Sequence, residues 1–389
     1  MPLPPTLHQL HLHWHVNRHQ RAPDGRVLAG HHHHNVVVPL RQPLATLVSA
    51  EVGEVVTIRA RRRTLGVVLR AWEDEAAVVE AVRPQFPELP RPLHALRRGS
   101  VYTYVDGTSL AETEPPGRPV QNGTMRRIAG IFGRLATVDG HRLPPRPAGD
   151  AHEAWPDEGD SAGFLARLAR HAEHRVHLPN RRRFGQLFDD LEVPRDAVAR
   201  FEITAKSLTP RPFGLLHTDI HRSNLVVRPG GDLCLVDWEL ALYGDPLHDL
   251  ATHLARMRYG KQERLRMVEL WRQEMLSRDL HARVAGMGGG RRDGDLARYL
   301  DFEYAQSVHA DTMRAALSLP GSPTAAEFVA AAAAVRRALR RAQAPLDLVH
   351  VPTRKAVEEA LRAWHARHHS VSGTLARVLG AVRRPMGRR

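Results

Sequence analysis

The chain has 389 residues, of which 42% are hydrophobic and 25% are charged. This composition is typical of a soluble globular protein, and the length allows more than one domain. A single cysteine cannot form a disulfide within the chain, and the longest apolar run, residues 328–335, is too short to cross a membrane. Because the first residues also lack the pattern of a signal peptide, we expect a cytoplasmic protein.

The net charge of +14 is concentrated near the C-terminus. Residues 336–389 hold 13 Lys and Arg against three Asp and Glu, so this tail carries +10 of the total. A basic tail keeps nucleic-acid binding open as one interpretation, but no recognised nucleic-acid-binding module accompanies it. We therefore expect no specific nucleic-acid partner.

Residue patterns predict a β-rich N-terminal part and a helical C-terminal part. Strand-like apolar runs occupy residues 36–38, 55–59, 66–72, 101–105, 213–216, 225–227 and 233–236. Helical patterns begin near residue 75, occupy 124–138, 161–177, 184–191 and 196–206, and continue beyond residue 251. Residues 1–25 show no clear period, and residues 139–160 resemble a surface connection because they are rich in proline, glycine and charge.

The stretch 213–254 carries polar residues at a spacing that favours catalysis. Asp219 lies in a polar loop after an apolar run, Asn224 follows five residues later, and Asp237 comes directly after another apolar run. Two strands joined by a Gly-Gly turn can bring these three side chains to one end of a sheet. A base for a substrate hydroxyl and two oxygen ligands for magnesium are what phosphoryl transfer requires. A buried hairpin with polar caps is the alternative.

The ordered motifs of this stretch resemble those of a known enzyme group. They read HTDIHRSN over residues 217–224, VDWE over 236–239 and GDPLHDLA over 244–251. Protein kinases carry Arg where this chain has Thr218, and Phe-Gly where it has Trp-Glu. With these departures, the set resembles the aminoglycoside phosphotransferase and choline kinase-like superfamily, a small-molecule branch of the protein-kinase-like fold.

The resemblance implies an α+β protein-kinase-like fold with two lobes, a small β-rich N-lobe and a larger, mostly helical C-lobe. The expected domains are an N-terminal extension (1–25), a nucleotide-binding N-lobe (26–107), a C-lobe with the catalytic loop and substrate-binding helices (108–343) and a basic helical tail (344–389). In such a fold the nucleotide lies against the N-lobe sheet.

The resemblance also implies roles for the motif residues. Asp219 would orient and deprotonate the acceptor hydroxyl, while Asn224 and Asp237 would hold Mg²⁺. His217 would pack and form hydrogen bonds under the loop. Asp249 would brace the loop from the following helix.

Nucleotide contacts are expected from the N-lobe. A turn from Gly30 to Asn35 would cover the phosphates, although a surface hairpin explains it as well, and its run of four histidines could instead bind a metal. Backbone groups from Thr103 to Val105 would hold the adenine, with a plain edge strand as the alternative.

A strand-borne cation should contact the phosphates and pair with a helix glutamate. No lysine precedes Lys206, so this cation has to be an arginine, and Arg70 paired with Glu75 fits the resemblance best. The alternative is an exposed arginine beside a helix whose first residue complements the helix dipole.

Of the expected binding sites, the sequence says least about the site for the acceptor. Glu239, Asp301 and Asp311 are expected to line it, and their charge would suit a cationic acceptor such as an aminoglycoside. A solvated acidic stripe explains Asp301 and Asp311 equally well.

We thus expect a monomer or homodimer that uses ATP and Mg²⁺ to phosphorylate a hydroxyl of a small molecule. A kinase-like regulatory or binding protein without turnover is the alternative.

Overall fold

The structure is a computed structural model that describes residues 25–28, 33–61, 65–96, 99–146, 154–288 and 294–381. The strands in these residues are β1 (Arg26–Leu28), β2 (His33–Pro39), β3 (Val55–Arg61), β4 (Pro92–Leu96), β5 (Gly99–Thr103), β6 (Thr108–Ser109), β7 (Gly214–Leu216), β8 (Leu225–Val227), β9 (Leu233–Leu235) and β10 (Leu242–Gly244).

The helices lie mainly in the C-terminal part. They are α1 (Leu44–Leu47), α2 (Glu75–Val82), α3 (Leu110–Thr113), α4 (Asn122–Ala136), α5 (Ser161–His171), α6 (Leu178–Asp190), α7 (Phe201–Thr204), α8 (Pro246–Arg256), α9 (Lys261–Ser277), α10 (Asp295–Leu317), α11 (Ala325–Ala342) and α12 (Arg354–Ala381). A π-helical turn, Ala172–His177, joins α5 to α6. No helix in the described part of the chain is long and apolar enough to span a membrane.

The N-terminal sheet has five antiparallel strands in the order β1-β2-β3-β5-β4. Val36 on β2, Ile58 on β3 and Val101 on β5 are direct cross-strand partners, and all three are buried in one apolar cluster. Successive side chains of a strand point to opposite faces, so Arg59 lies on the face opposite this core. Because side chains alternate along the strand, the Arg59 side chain points away from the apolar core and can take part in a polar site.

The strands of residues 213–254 belong to two smaller sheets. β7 pairs with β10, and β8 pairs with β9 and with β6. The turn between β8 and β9 contains Gly230 and Gly231, both at positive φ, a conformation that glycine adopts without steric cost. The predicted Gly-Gly hairpin is confirmed.

Residues 66–72 do not form the predicted strand. Their backbone is irregular, although Val67, Leu69 and Trp72 are buried. Strand β3 already has β2 and β5 as its two neighbours, so no edge beside it remains for another strand. The apolar run here therefore reflects burial without sheet pairing.

Side-chain caps define where several helices start. Asp74 accepts hydrogen bonds from the backbone N–H groups at the start of α2, so this helix begins at Glu75 as predicted. Asp245 caps α8 in the same way, and Pro246 occupies the first turn, where its missing N–H costs nothing.

The described residues fall into two compact units. The first takes in residues of 1–65, 70–160 and 210–290, and so contains the N-terminal sheet together with the stretch 213–254. The second takes in 66–69, 161–209 and residues of 291–389, and is mainly helical. Its core includes stacked rings of Phe184 and Trp364, whose centroids are 5.2 Å apart.

Candidate active site

The loop from His217 to Asn224 connects β7 to β8, and hydrogen bonds between side chains and backbone hold its first residues. Asp249 on α8 accepts hydrogen bonds from the N–H groups of His217, at 3.0 Å, and Thr218, at 2.7 Å. The Thr218 hydroxyl donates to the carbonyl of Leu240 at 2.6 Å. Thr218 has positive φ, which is rare for a β-branched residue. The surrounding contacts thus fix an unfavourable loop conformation.

Asp219 is the central carboxylate of this loop, and its side chain is 8% exposed. The amide nitrogen of Asn224 donates to Asp219 Oδ2 at 3.0 Å, and Arg256 forms an ion pair with Oδ1. Burial opposes ionisation of the carboxyl, but the charge of Arg256 and the nearby His221 outweigh it and hold the pKa of Asp219 well below its usual range. Asp219 is therefore ionised at neutral pH.

His217 packs beneath the loop, with its ring edge-on to Trp238 at a centroid distance of 4.9 Å. Burial lowers its pKa to about 4, despite the negative charges of Asp219 and Asp237. The imidazole is therefore neutral at pH 7. The packing of His217 matches the expectation, whereas both of its ring nitrogens are buried without a hydrogen-bond partner among the described residues, and its role under the loop stays a prediction.

Asp237 follows β9 and also has positive φ. Its Oδ1 lies 2.6 Å from Arg59 Nη2, and Arg59 Nη1 lies 2.5 Å from Glu75 Oε1. Glu75 Oε1 also accepts a hydrogen bond from the N–H of Trp238 at 2.9 Å. One arginine thus joins the sheet, helix α2 and the turn after β9 in a nearly buried network.

The cation that pairs with Glu75 is Arg59, so the predicted Arg70–Glu75 pair is wrong. Arg70 lies outside the sheet, where its Nη2 is 2.7 Å from Glu239 Oε2. The physical reason is that residues 66–72 form no strand. The sequence also offered Arg59 as a candidate for this cation, because Arg59 is the last residue of the run 55–59, which is predicted to be a strand.

Glu239 is buried beside this network. Burial and the charge of Asp237 raise its pKa to about 7, while Arg70 acts in the opposite direction. The turn after β9 therefore presents two carboxylates, each facing an arginine from the N-terminal part of the chain.

The other residues predicted to contact the nucleotide do not all lie where the prediction requires. Gly30 lies outside the described residues, and Asn35 lies within β2, opposite Arg59 in the register, so its predicted place in a turn is wrong. The N–H of Thr103 donates to the carbonyl of Arg91 within the sheet, which removes it as an adenine donor. Val105 follows β5 in irregular backbone.

The two predicted acceptor residues of the later helices, Asp301 and Asp311, lie on α10 in the second unit. Asp311 forms ion pairs with Arg314 at 3.4 Å and Arg341 at 3.3 Å. Its charge is therefore largely balanced by neighbouring residues of the same unit.

The described residues contain no group of three or more His, Cys, Asp and Glu side chains that could hold a metal ion. Asn224 and Asp237 nevertheless fit a magnesium ion, which prefers oxygen ligands and keeps several waters. The Asn224 amide nitrogen faces Asp219, which leaves its carbonyl oxygen as a ligand. The backbone N–H of Val236 donates to the carbonyl of Asn224 at 2.9 Å, so the two ligand-bearing segments are directly paired.

The chain is similar to known proteins in its sequence family and in its fold. Residues 47–287 match the model of the phosphotransferase enzyme family, and no curated protein matches the chain in sequence. The ethanolamine kinase of Plasmodium vivax has a similar structure, with a TM-score of 0.52 and 11% identity over 87% of this chain and 86% of that one.

Two further solved structures are similar at lower scores. A thermostable mutant of the aminoglycoside phosphotransferase APH(4)-Ia, bound to AMP-PNP and hygromycin B, has a TM-score of 0.48 and 14% identity over 86% of this chain and 97% of that one. The choline kinase LicA of Streptococcus pneumoniae has a TM-score of 0.48 and 11% identity over 86% and 99%.

The likeness to the ethanolamine kinase confirms the predicted α+β, kinase-like fold. The family match covers more than half of the chain and includes the loop, the arginine network and helix α8. The chain therefore belongs to the phosphotransferase enzyme family.

Proposed function

We propose that this chain transfers the γ-phosphoryl group of ATP to a hydroxyl of a small molecule. The observation that carries the proposal is the pairing of two segments, one with Asp219 and Asn224 and the other with Asp237, next to a buried arginine. These are the parts that phosphoryl transfer uses: a group that orients the hydroxyl, oxygen ligands for magnesium and a cation for the phosphates.

Asp219 orients the acceptor hydroxyl and accepts its proton. The acceptor oxygen forms a bond to the γ-phosphorus while the bond to the bridging oxygen breaks, and ADP leaves with that electron pair. The carboxylate is suited to this role because it is ionised and held on both oxygens.

Asn224 and Asp237 would hold Mg²⁺, which when bound neutralises charge on the phosphates. Arg59, rather than Arg70, contacts the phosphates. Glu75 holds Arg59 in place when its other partner, Asp237, turns to the metal.

The remaining nucleotide contacts are proposed from position in the chain. Gly30 precedes β2 in the chain and lies outside the described residues, and the backbone near Val105 follows β5. These segments would cover the phosphates and the adenine.

The acceptor class is supported less directly. Glu239 stays a candidate for acceptor binding, although Arg70 already balances part of its charge. Asp301 and Asp311 remain proposals of the same kind, and the ion pairs of Asp311 reduce the attraction that it offers to a cationic acceptor.

A kinase-like binding protein without turnover is the second candidate. The observation that favours it is that arginines occupy both Asp219 Oδ1 and Asp237 Oδ1. If these pairs persist with nucleotide bound, neither carboxylate is fully available for catalysis.

A phosphotransfer assay with labelled ATP, magnesium and a panel of hydroxylated amines, sugars and antibiotics tests the proposal. Asp219→Asn should reduce turnover by about 10²–10⁴-fold, the usual contribution of general-base catalysis, and should retain ATP binding by calorimetry. Asp232→Asn, an exposed aspartate in the β8–β9 turn, is the matched control and should keep full activity. Undiminished turnover by Asp219→Asn would refute the assigned role.

A further inference from the structure

Helix α8 presents one face to the catalytic loop. Asp249, His253 and Arg256 follow one another at spacings of four and three residues, so their side chains lie on the same side of the helix. Asp249 and His253 are buried, and the Arg256 side chain is 34% exposed. These three residues contact neighbouring positions of the loop.

The first two residues hold the loop backbone. Asp249 accepts from the N–H groups of His217 and Thr218 at 3.0 and 2.7 Å. His253 Nδ1 donates to the carbonyl of Ile220 at 2.8 Å. The backbone on both sides of Asp219 is thus fixed by the same helix.

The third residue holds the Asp219 side chain itself. Arg256 Nη1 pairs with Asp219 Oδ1, and His221 Nε2 lies 3.3 Å from the same oxygen. Asn224 Nδ2 donates to Oδ2 at 3.0 Å. A carboxylate has about four acceptor positions. With two of them used on Oδ1 and one on Oδ2, the arrangement leaves Oδ2 to receive a hydroxyl.

The environment of this ion pair differs from that of a surface pair. Asp219 is 8% exposed, whereas Glu269, which pairs with Arg272 on α9, is 47% exposed. Ion pairs between exposed side chains contribute little because water and salt screen them, but a largely buried carboxylate is screened much less. The Arg256 contact therefore restrains Asp219 more strongly than an ordinary surface contact would.

We propose that Arg256 is a positioning residue for phosphoryl transfer, a role that rests on the proposed function. It holds Oδ1 so that Oδ2 faces the acceptor hydroxyl. Arg256 acts through Asp219 and needs no contact with the nucleotide, so its loss should lower kcat and leave ATP binding intact.

The test compares Arg256→Met and Arg256→Lys with Arg272→Met, which removes an exposed, carboxylate-paired arginine. Misplacing a reacting group by about 1 Å costs on the order of 10²-fold in rate. We expect Arg256→Met to lower kcat by roughly 10- to 100-fold while the KM for ATP changes less than about two-fold, with Arg256→Lys between it and the wild type. Arg272→Met should match the wild type.

Hydrogen exchange of the peptide that covers residues 217–224 gives a second readout that needs no turnover. Arg256→Met should exchange faster there than the wild type and Arg272→Met, and the lysine variant should fall between them. If the methionine variant does not fold, Arg256→Lys decides through a kcat lower than that of Arg272→Lys.

Three results would overturn the proposal. The first is an unchanged kcat and unchanged loop exchange in Arg256→Met, and the second is an equal loss of kcat in Arg272→Met. The third is faster turnover in Arg256→Met, which would show that the ion pair holds Asp219 in an inactive arrangement. If the wild type phosphorylates no acceptor, the proposed function fails instead. Loop exchange then still decides whether Arg256 holds the loop.

Discussion

A buried histidine of the second unit should make folding sensitive to mild acid. His309 on α10 is 2% exposed, and its ring stacks on His177 with a centroid distance of 4.4 Å. Burial, together with the neighbouring His177, lowers the pKa of His309 to about 3. We predict that His309→Leu reduces the loss of stability between pH 7 and pH 5.

The size of the effect follows from proton linkage. In the unfolded chain a histidine has a pKa of about 6.5, so at pH 5 the unfolded state binds nearly one proton that native His309 does not. Protonation therefore favours unfolding as the pH falls below about 6.5, and this loss continues towards the folded pKa. Over the interval from pH 7 to pH 5 it amounts to about 2 kcal/mol.

Urea unfolding at the two pH values, followed by circular dichroism, measures this difference. The control is His350→Leu, since the side chain of His350 is 63% exposed in the same unit. Wild type and control should lose more stability than His309→Leu by about 2 kcal/mol. Equal losses in all three proteins would show that His309 is not held neutral by burial, and would refute the reasoning.

Three further predictions concern the active site. Mg²⁺ with ATP should raise the melting temperature of the wild type, because a ligand bound only by the native state stabilises it, and Asp237→Ala should remove the magnesium-dependent part in a thermal-shift assay. Arg59→Met should lower the free energy of unfolding by about 3–5 kcal/mol in urea titration, because it leaves Glu75 and Asp237 as buried charges without their cation; a loss below about 1 kcal/mol would contradict the importance of this network. Asp249→Asn offers a single acceptor oxygen to two N–H groups, so it should cost about 1–3 kcal/mol and lower kcat, as calorimetry and phosphotransfer assays can show.

The parts of the site that lie close together in the chain were predictable. Asp219, Asn224 and Asp237 come from a loop and a hairpin within one short segment, and their spacing together with the ordered motifs favours phosphoryl transfer. The resemblance to a family predicted that Asp249 would hold the loop from the following helix. The domain boundaries at residues 107 and 343 stay predictions.

The parts that depend on distant contacts were not predictable. Arg59 lies 16 positions from Glu75 and 178 positions from Asp237, so its role depends on which strands are neighbours in the sheet. The apolar run 66–72, together with the resemblance at Glu75, favours Arg70 instead, because a buried irregular segment and a strand can have the same apolar pattern. The sequence indicated only weakly that Arg256 contacts the loop: it lies seven residues after Asp249 and hence on the same helix face.

The network of Arg59, Glu75 and Asp237 is better explained by function than by stability. Moving two or more charges out of water costs about as much as their attraction returns, so well-packed apolar side chains would stabilise the fold equally well. The network connects the sheet, helix α2 and the turn after β9. Asp237 also adopts a backbone conformation that is unfavourable for a non-glycine residue. Under the proposed function, Arg59 exchanges Asp237 for phosphate oxygens while Glu75 keeps its ion pair with Arg59, and this exchange would account for the costs. The same reasoning applies to the buried Asp219 and its partner Arg256, where orientation of the carboxylate is the gain.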